Sequence, residues 1–401
     1  MIFQSIVCVD RADLAESAYN CSDFFVCYGI LGLSVFALLL PPQNTHTLMC
    51  PRVSPALIRK AYAIDRCLPL LLPQCRNIEQ ATQELRWLKE ELGCTKSTYD
   101  SSGGSSSIPN TALLRRACKL RSRGVPLQYI LGSQPFGSLE ILCKRNVLIP
   151  RWETEEWSLE LSRCIRSYFT RQYNELSGSS SGGNSFRVVD LCTGTGCIAL
   201  TILKETYQAL SSAAILLDVT AIDCSTAAVK LTEQNYAHNF PSETADVGST
   251  KGELKSKFNV LKLDILRSRF PVSPYSPVDI LTANPPYIPK TEFVKEVRSS
   301  VRAYEPSLAL LGDLEFYKDL VDRWIASGYI NSFVYELGSL EQFKYVHKRV
   351  VEDPKLCDLW SIGVRYDSIG KPRCVYGFKK AISSGLNIDF AKLFDGFGQL
   401  A

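Results

Sequence analysis

At 401 residues the chain is long enough for two or three domains, and its 46% apolar and 21% charged content is that of an ordinary globular protein, not a disordered or fibrous one. A net charge of +4 is too weak to argue for nucleic acid by itself. Fifteen cysteines without a Cys-x-x-Cys pair, and three histidines at His46, His238 and His347, suggest neither a disulfide framework nor a zinc site, so free thiols and no metal are expected.

The first feature along the chain is an uncharged, mostly apolar run from Phe24 to Leu40, which at 17 residues sits at the short limit for spanning a bilayer and ends in Pro41-Pro42. The residues before it carry Asp10, Asp13, Glu16 and Asp23 against Arg11, which fits neither a basic signal-peptide start nor an Arg-rich transit peptide. From Met49 onward the character changes. Arg52, Arg59, Lys60, Arg66 and Arg76 lie among Leu, Ala, Ile and Ser, with Asp65 as the acid between them, a composition that resembles a mitochondrial presequence. The expectation is that residues 1–48 are an extension, that the functional start is Met49, and that the protein is mitochondrial and not membrane-bound. An anchor through 24–40 is the alternative.

Helical periodicity follows at Ala56 to Ala63, Ile78 to Leu92 and Thr111 to Arg121, the middle segment placing Leu85, Leu88 and Leu92 on one face. These predict a small helical domain over 49–125. The Ser/Gly-rich stretches 101–107 and 177–183, and the polar stretch 242–257, read as loops. Segment 126–186 reads as a linker, with β structure around Gln128 to Val147, a helix and the second Ser/Gly loop. The catalytic domain is expected over 187–380 and a tail over 381–401.

That domain opens with an apolar strand, Val188-Val189-Asp190-Leu191, turning through Cys192-Thr193-Gly194-Thr195-Gly196 into an apolar helix, a nucleotide-binding first turn in which glycines let the backbone approach a ligand. A second strand, Ala214 to Ile222, ends in Asp223, whose carboxylate can accept both hydroxyls of a ribose. NAD and S-adenosylmethionine proteins share these features. They differ downstream, because a sulfonium cofactor needs a nucleophile held beside it. The strand Val278-Asp279-Ile280-Leu281 leads to such a holder, Asn284-Pro285-Pro286-Tyr287. A planar NH2 group is best held by two in-plane acceptors and an aromatic face. Asn284 supplies one acceptor, the Pro285 carbonyl, stiffened by Pro286, the other, and Tyr287 the ring. Strands at Val260 to Leu263, Ser332 to Tyr335, Leu359 to Val364 and Arg373 to Phe378 alternate with helices at Ala227 to Ala237, Leu314 to Trp324 and Leu340 to Val351, which reads as doubly wound α/β with a closing antiparallel hairpin.

Five blocks carry a resemblance: Pro126-Leu127-Gln128-Tyr129-Ile130-Leu131-Gly132, Leu148-Ile149-Pro150-Arg151-Trp152-Glu153-Thr154-Glu155, the glycine loop, Asn284-Pro285-Pro286-Tyr287-Ile288-Pro289, and Tyr304-Glu305-Pro306 with Ala309-Leu310. In these the chain resembles the HemK-like peptide chain release factor N5-glutamine methyltransferases, in a fungal-type mitochondrial form, over roughly Ala112 to Lys379. The resemblance implies a class I S-adenosylmethionine-dependent methyltransferase, a Rossmann-like α/β fold with a seven-stranded sheet and a small N-terminal helical domain for substrate recognition. It implies S-adenosyl-L-methionine as cofactor and the Gly-Gly-Gln loop of a release factor as partner, with no direct nucleic acid. It places Asp190 near the methionine end of the cofactor, with Cys192, Thr193, Gly194, Thr195 and Gly196 along it. Asp223 falls on the ribose, Asp264 and Ile265 at the adenine, and Asn284 at both cofactor and substrate. Arg151, Glu153, Glu155 and Glu305 read as braces. Two residues depart from the pattern: Cys192 replaces a glycine, workable in a tight turn if its φ is negative, and Trp152 replaces a proline. A ribosomal-protein glutamine, a nucleic-acid amino group and a non-catalytic partner role remain as alternatives.

Overall fold

The computed structural model describes residues 53–93, 110–176, 185–241, 256–268, 277–381 and 386–401, which divide into a helical unit and an α/β unit. The run Phe24 to Leu40, Met49, the two Ser/Gly-rich stretches and residues 242–255 lie outside the described residues.

The helical unit comprises the described residues up to Gly132 together with Ser299–Tyr304. Ser54 caps the helix Pro55–Ile64 by accepting from the Leu57 amide at 3.2 Å, and Asn77 caps Ile78–Glu91 by accepting from Gln80 at 2.8 Å. Between them lies Leu68–Cys75, a helix that the sequence reading passed over because Pro69 and Pro73 signal breaks. Pro69 is tolerated because the first turn has no N–H partner to lose, and the helix stops at Arg76 with φ 68°. Leu68, Leu71, Leu72, Leu85, Leu88 and Leu114 form the core, each worth about 1.5–3 kcal/mol on burial. The helix Asn110–Ser122 is tied to Ile78–Glu91 by Arg121, which donates to both Glu84 oxygens at 2.8 Å.

The α/β unit begins with a hairpin, β1 (Ser133–Phe136) against β2 (Leu139–Leu142), within the stretch Gln128 to Val147 where β structure was expected, but Leu127–Leu131 at its start is a helix and belongs to the helical unit. The helix Trp152–Leu176 follows, and then β3 (Ser185–Leu191), β4 (Leu216–Asp223), β5 (Lys257–Lys262), β6 (Ile280–Ala283), β7 (Ser332–Glu336), β8 (Trp360–Tyr366), β9 (Pro372–Lys379) and β10 (Gln399–Leu400). They form one sheet in the order β10-β8-β9-β7-β6-β3-β4-β5, parallel from β5 to β7 and antiparallel from there to the β10 edge. The expected closing hairpin is β8–β9. Seven strands were expected and eight are present among the described residues. The additional one is the short β10, supplied by the C-terminal segment because Phe390, Leu393, Phe394 and Phe397 are buried against Tyr376 and Phe378.

The central strands are apolar on both faces. Val188, Val219, Ile280 and Val334 face a core shared with the helices Trp152–Leu176 and Cys197–Ser212. Val189, Ile222, Leu281 and Phe333 face the opposite core, shared with the segment 315–325 and the helix Leu340–Val351. One expected α-helix differs: after Glu315–Asp319 the chain widens into a π turn over Leu320–Ile325. The wider turn lets Asp319 receive both Arg323 and Trp324, four and five residues on.

Among the described residues no helix is long and apolar enough to cross a membrane, no acid, histidine and cysteine group is placed to hold a metal ion, and the cysteines are free.

Candidate active site

The strand order reverses at β3, whose neighbours are β4 and β6, and a crevice outside the carboxyl ends of such strands is where open α/β sheets take ligands. A cavity of about 440 Å³ lies there. Its floor is the loop after β3 and the ends of β4 to β6. One wall is the segment Asn146–Arg151, and Pro306, Leu308, Ala309 and Phe316 form an apolar lip.

The loop after β3 is held from below. Asp190, fully buried, accepts from the Thr193 hydroxyl at 2.6 Å and from the Thr282 hydroxyl of β6 at 2.8 Å, so one carboxylate stitches the loop to the neighbouring strand. Burial pushes its carboxyl up to about 7, opposed by these two hydrogen bonds. The chain then needs three left-handed residues in quick succession: Cys192 at φ 54°, Gly194 at 60° and Gly196 at 81°. A side chain at Gly196 would also meet Thr232 at 2.8 Å, and Thr232 in turn donates to the Gly194 carbonyl. Cys192 therefore sits in the conformation that a glycine at its place would adopt, and the expected negative φ is corrected. Its thiol is pushed well above its ordinary value, first by burial and then by the Asp223 carboxylate, so the wall of the cavity carries a neutral, weakly nucleophilic thiol.

Asp223 closes β4 with its carboxylate partly engaged. One oxygen accepts from the Gly194 amide at 2.9 Å and the other from Ser225 at 2.8 Å, and Cys224 beside it also hydrogen-bonds the carboxylate. Burial raises its pKa. After β5, Asp264 accepts from the Leu266 amide at 3.1 Å, and Arg323 donates to the carbonyls of Ile265 and Ser268, fixing that floor segment.

At the end of β6, Asn284 is followed by a backbone bridge between Ile288 and Leu311. Gly312 is required there, since a Cβ would fall 2.1 Å from the Pro286 carbonyl oxygen. Gly338 plays the same part for Tyr287, whose ring lies 2.7 Å from where a Cβ would stand. The Asn284 amide nitrogen donates to the Thr154 hydroxyl at 3.1 Å, and the Tyr287 hydroxyl donates to Glu336 at 3.2 Å. Behind the opposite wall, Arg151 reaches both oxygens of buried Glu305 at 2.8 and 2.9 Å, and Glu305 also accepts from the Ile149 amide. Glu155 accepts from the Gly137 amide, and Glu153 lies 3.8 Å from Arg373.

Of the residues singled out in the sequence, Cys192, Thr193, Gly194, Thr195, Asp223, Asp264, Ile265, Asn284 and Pro286 border the cavity together. Asp190, Gly196, Pro285 and Tyr287 are not on its wall. Asp190 lies beneath the loop, Gly196 opens the helix behind it, and Tyr287 points its hydroxyl at Glu336. Sequence reasoning gave no role to Thr154, Trp157 and Glu336, or to Phe316. Glu336 had a signal: it ends the apolar strand Phe333-Val334-Tyr335 as Asp223 ends β4.

No family model matches the chain. It is 44% identical over 332 residues, 82% of its length, to the mitochondrial MRF1 N(5)-glutamine methyltransferase MTQ1 of Saccharomyces cerevisiae, covering 89% of that protein. It is 33% identical over 329 residues to the probable MRF1 mitochondrial N(5)-glutamine methyltransferase mtq1 of Schizosaccharomyces pombe, with 78% of this chain and 94% of the relative aligned. The release factor glutamine methyltransferase of Chlorobaculum tepidum is 32% identical over 208 residues, 51% of this chain and 60% of that one.

Proposed function

The chain belongs to the release factor glutamine methyltransferase family, and from that premise we propose that it transfers a methyl group from S-adenosyl-L-methionine to the side-chain amide nitrogen of the glutamine in the Gly-Gly-Gln motif of a mitochondrial peptide chain release factor. The observation that carries this reading is the amide of Asn284, which gives its nitrogen to Thr154 and so presents its oxygen as an acceptor in a cavity whose other end has the carboxylate acceptors for a nucleoside.

The residues present suit the cofactor. Asp223 borders the cavity as an acceptor for ribose hydroxyls, Gly194 leaves room for close backbone approach, and Asp264 and Ile265 offer a polar edge beside an apolar surface. When bound, the cofactor supplies an electrophilic methyl group. The protein's part is geometric. An amide nitrogen is a weak nucleophile because its lone pair is delocalised, so holding it in line contributes most, up to roughly 7–11 kcal/mol in favourable cases. The Asn284 Oδ1 accepts one amide hydrogen and gains strength as positive charge develops on the nitrogen. Tyr287, off the cavity wall, stiffens this loop through its bonds to Glu336 and Gln342. Proton loss follows transfer.

The helical unit, which carries none of the cavity-lining residues, is assigned to recognition of the release factor. The protein is mitochondrial, as its yeast relative is named; Arg59, Lys60, Arg66 and Arg76 of the presequence-like stretch lie in the folded helical unit, whose helices Pro55–Ile64 and Leu68–Cys75 bury Ala61, Leu68, Leu71 and Leu72. The test is mass spectrometry of the Gly-Gly-Gln peptide of the mitochondrial release factor from cells with and without this protein. A 14 Da mass increase on that glutamine present in both samples would reject the assignment.

A further inference from the structure

The orientation of Asn284 depends on two residues behind it. Glu336, the last residue of β7, is fully buried. Its Oε2 accepts from the Trp157 indole at 2.8 Å and from the Thr154 hydroxyl at 2.7 Å, while its Oε1 accepts from Tyr287 at 3.2 Å. An indole N–H can only donate, so with Glu336 held as a carboxylate by its three donors, against the rise in pKa that burial causes, both lone pairs of Oε2 are occupied and the Thr154 proton is committed to Glu336. The Thr154 oxygen is then left with lone pairs alone and can only accept. Asn284, 3.1 Å away, must therefore turn its NH2 toward Thr154. Its oxygen is the group left for the cavity.

We propose that Thr154 and Glu336 are positioning residues for methyl transfer: the chain Trp157–Glu336–Thr154 fixes the flip of the Asn284 amide so that the substrate meets an acceptor. This rests on the reading that Asn284 grips the substrate amide. With the flip reversed, two acceptor oxygens would face each other at Thr154, and the cavity would present N–H to the N–H of a glutamine. That arrangement suits a carboxylate and repels an amide.

The relay separates positions that simple packing would not. Thr154→Val keeps the shape and loses the relay, so Asn284 is free to adopt either flip. Thr154→Ser keeps the hydroxyl. Glu336→Gln keeps an oxygen for Trp157 and Thr154 if its NH2 turns to the Tyr287 hydroxyl, which can accept. The experiment is single-turnover methylation of a purified mitochondrial release factor, with calorimetric binding of S-adenosylmethionine on each variant as a check of folding. For Thr154→Val the expected result is a kcat roughly 10- to 100-fold lower, the rate equivalent of one misdirected buried hydrogen bond, with unchanged cofactor affinity. Thr154→Ser and Glu336→Gln retain most of the rate. Combining Thr154→Val with Asn284→Ala adds nothing to the loss from Asn284→Ala alone. If Asn284→Ala impairs the enzyme but Thr154→Val does not, or if Thr154→Ser is as impaired as Thr154→Val, the relay is overturned and the amide grip stands. If Asn284→Ala binds cofactor and reacts at the wild-type rate, the grip fails, and the relay with it.

Discussion

Cys192 provides a test of the loop in which the sign of the effect is the result. Its φ of 54° is left-handed, where a Cβ costs about 1–2 kcal/mol. Glycine escapes that cost, but its greater freedom in the unfolded chain costs about 0.5–1 kcal/mol. Comparing Cys192→Gly with Cys192→Ala removes the thiol from both, so the Cβ is the main difference between them. Subtracting the entropy from the steric relief leaves the glycine variant more stable by about 0.5–1 kcal/mol. At an ordinary negative φ the order reverses, and alanine wins by a similar amount. For an α/β unit of this size the difference corresponds to roughly 1–4 °C in melting temperature. The assay is thermal unfolding of both variants in parallel, with S-adenosylmethionine affinity measured to show that the loop is intact. An alanine variant as stable as the glycine variant, or more so, would refute the left-handed turn and the account of why this position tolerates cysteine.

Asp223→Ala should weaken S-adenosylmethionine by about 1.5–3 kcal/mol through lost charge-assisted hydrogen bonds, and unchanged affinity by calorimetry would remove Asp223 from the site. Asp190, with its carboxyl pushed up to about 7 by burial against about 3.9 unfolded, holds a proton in the folded state that the unfolded chain has already released. Its contribution is fully present below pH 4 and is lost as pH rises toward 7, so Asp190→Asn should flatten the fall in stability across that window, and an unaltered slope in denaturant titrations would contradict the shift. A fluorescent fusion carrying residues from Met49 onward should enter mitochondria, and cytosolic fluorescence would argue against the basic stretch as its signal.

The layered α/β fold was legible because apolar runs at β3, β4 and β6 are buried on both faces and separated by helices of clear period. What failed locally failed for identifiable reasons. Pro69 and Pro73 hid the helix Leu68–Cys75, because proline is read as a breaker; Pro69 stands in the first turn, which has no N–H bond to lose, and Pro73 stands inside the helix. The π turn at Leu320–Ile325 accompanies the pairing of Asp319 with Arg323 and Trp324, which periodicity does not record. The edge strand β10 depends on aromatic residues at 390–397 finding Tyr376 and Phe378, contacts between segments that share no repeat.

The site was legible where function rests on backbone and short motifs. Gly194, Asp223 and Asn284 announce themselves by their place after apolar strands, and the fold brings all three to one cavity. The relay was not legible, because nothing local distinguishes Thr154 from any other threonine in the first turn of a helix, where a hydroxyl is commonly explained by the backbone beside it. Its meaning comes from Glu336, 182 residues away, and from the fact that Trp157 is a donor only. An amide has two orientations of nearly equal shape, so packing cannot select between them, and only the donor count of the surrounding groups can. Selectivity at Asn284 is therefore a property of the hydrogen-bond chain behind it, and the four residues of the loop cannot specify it alone.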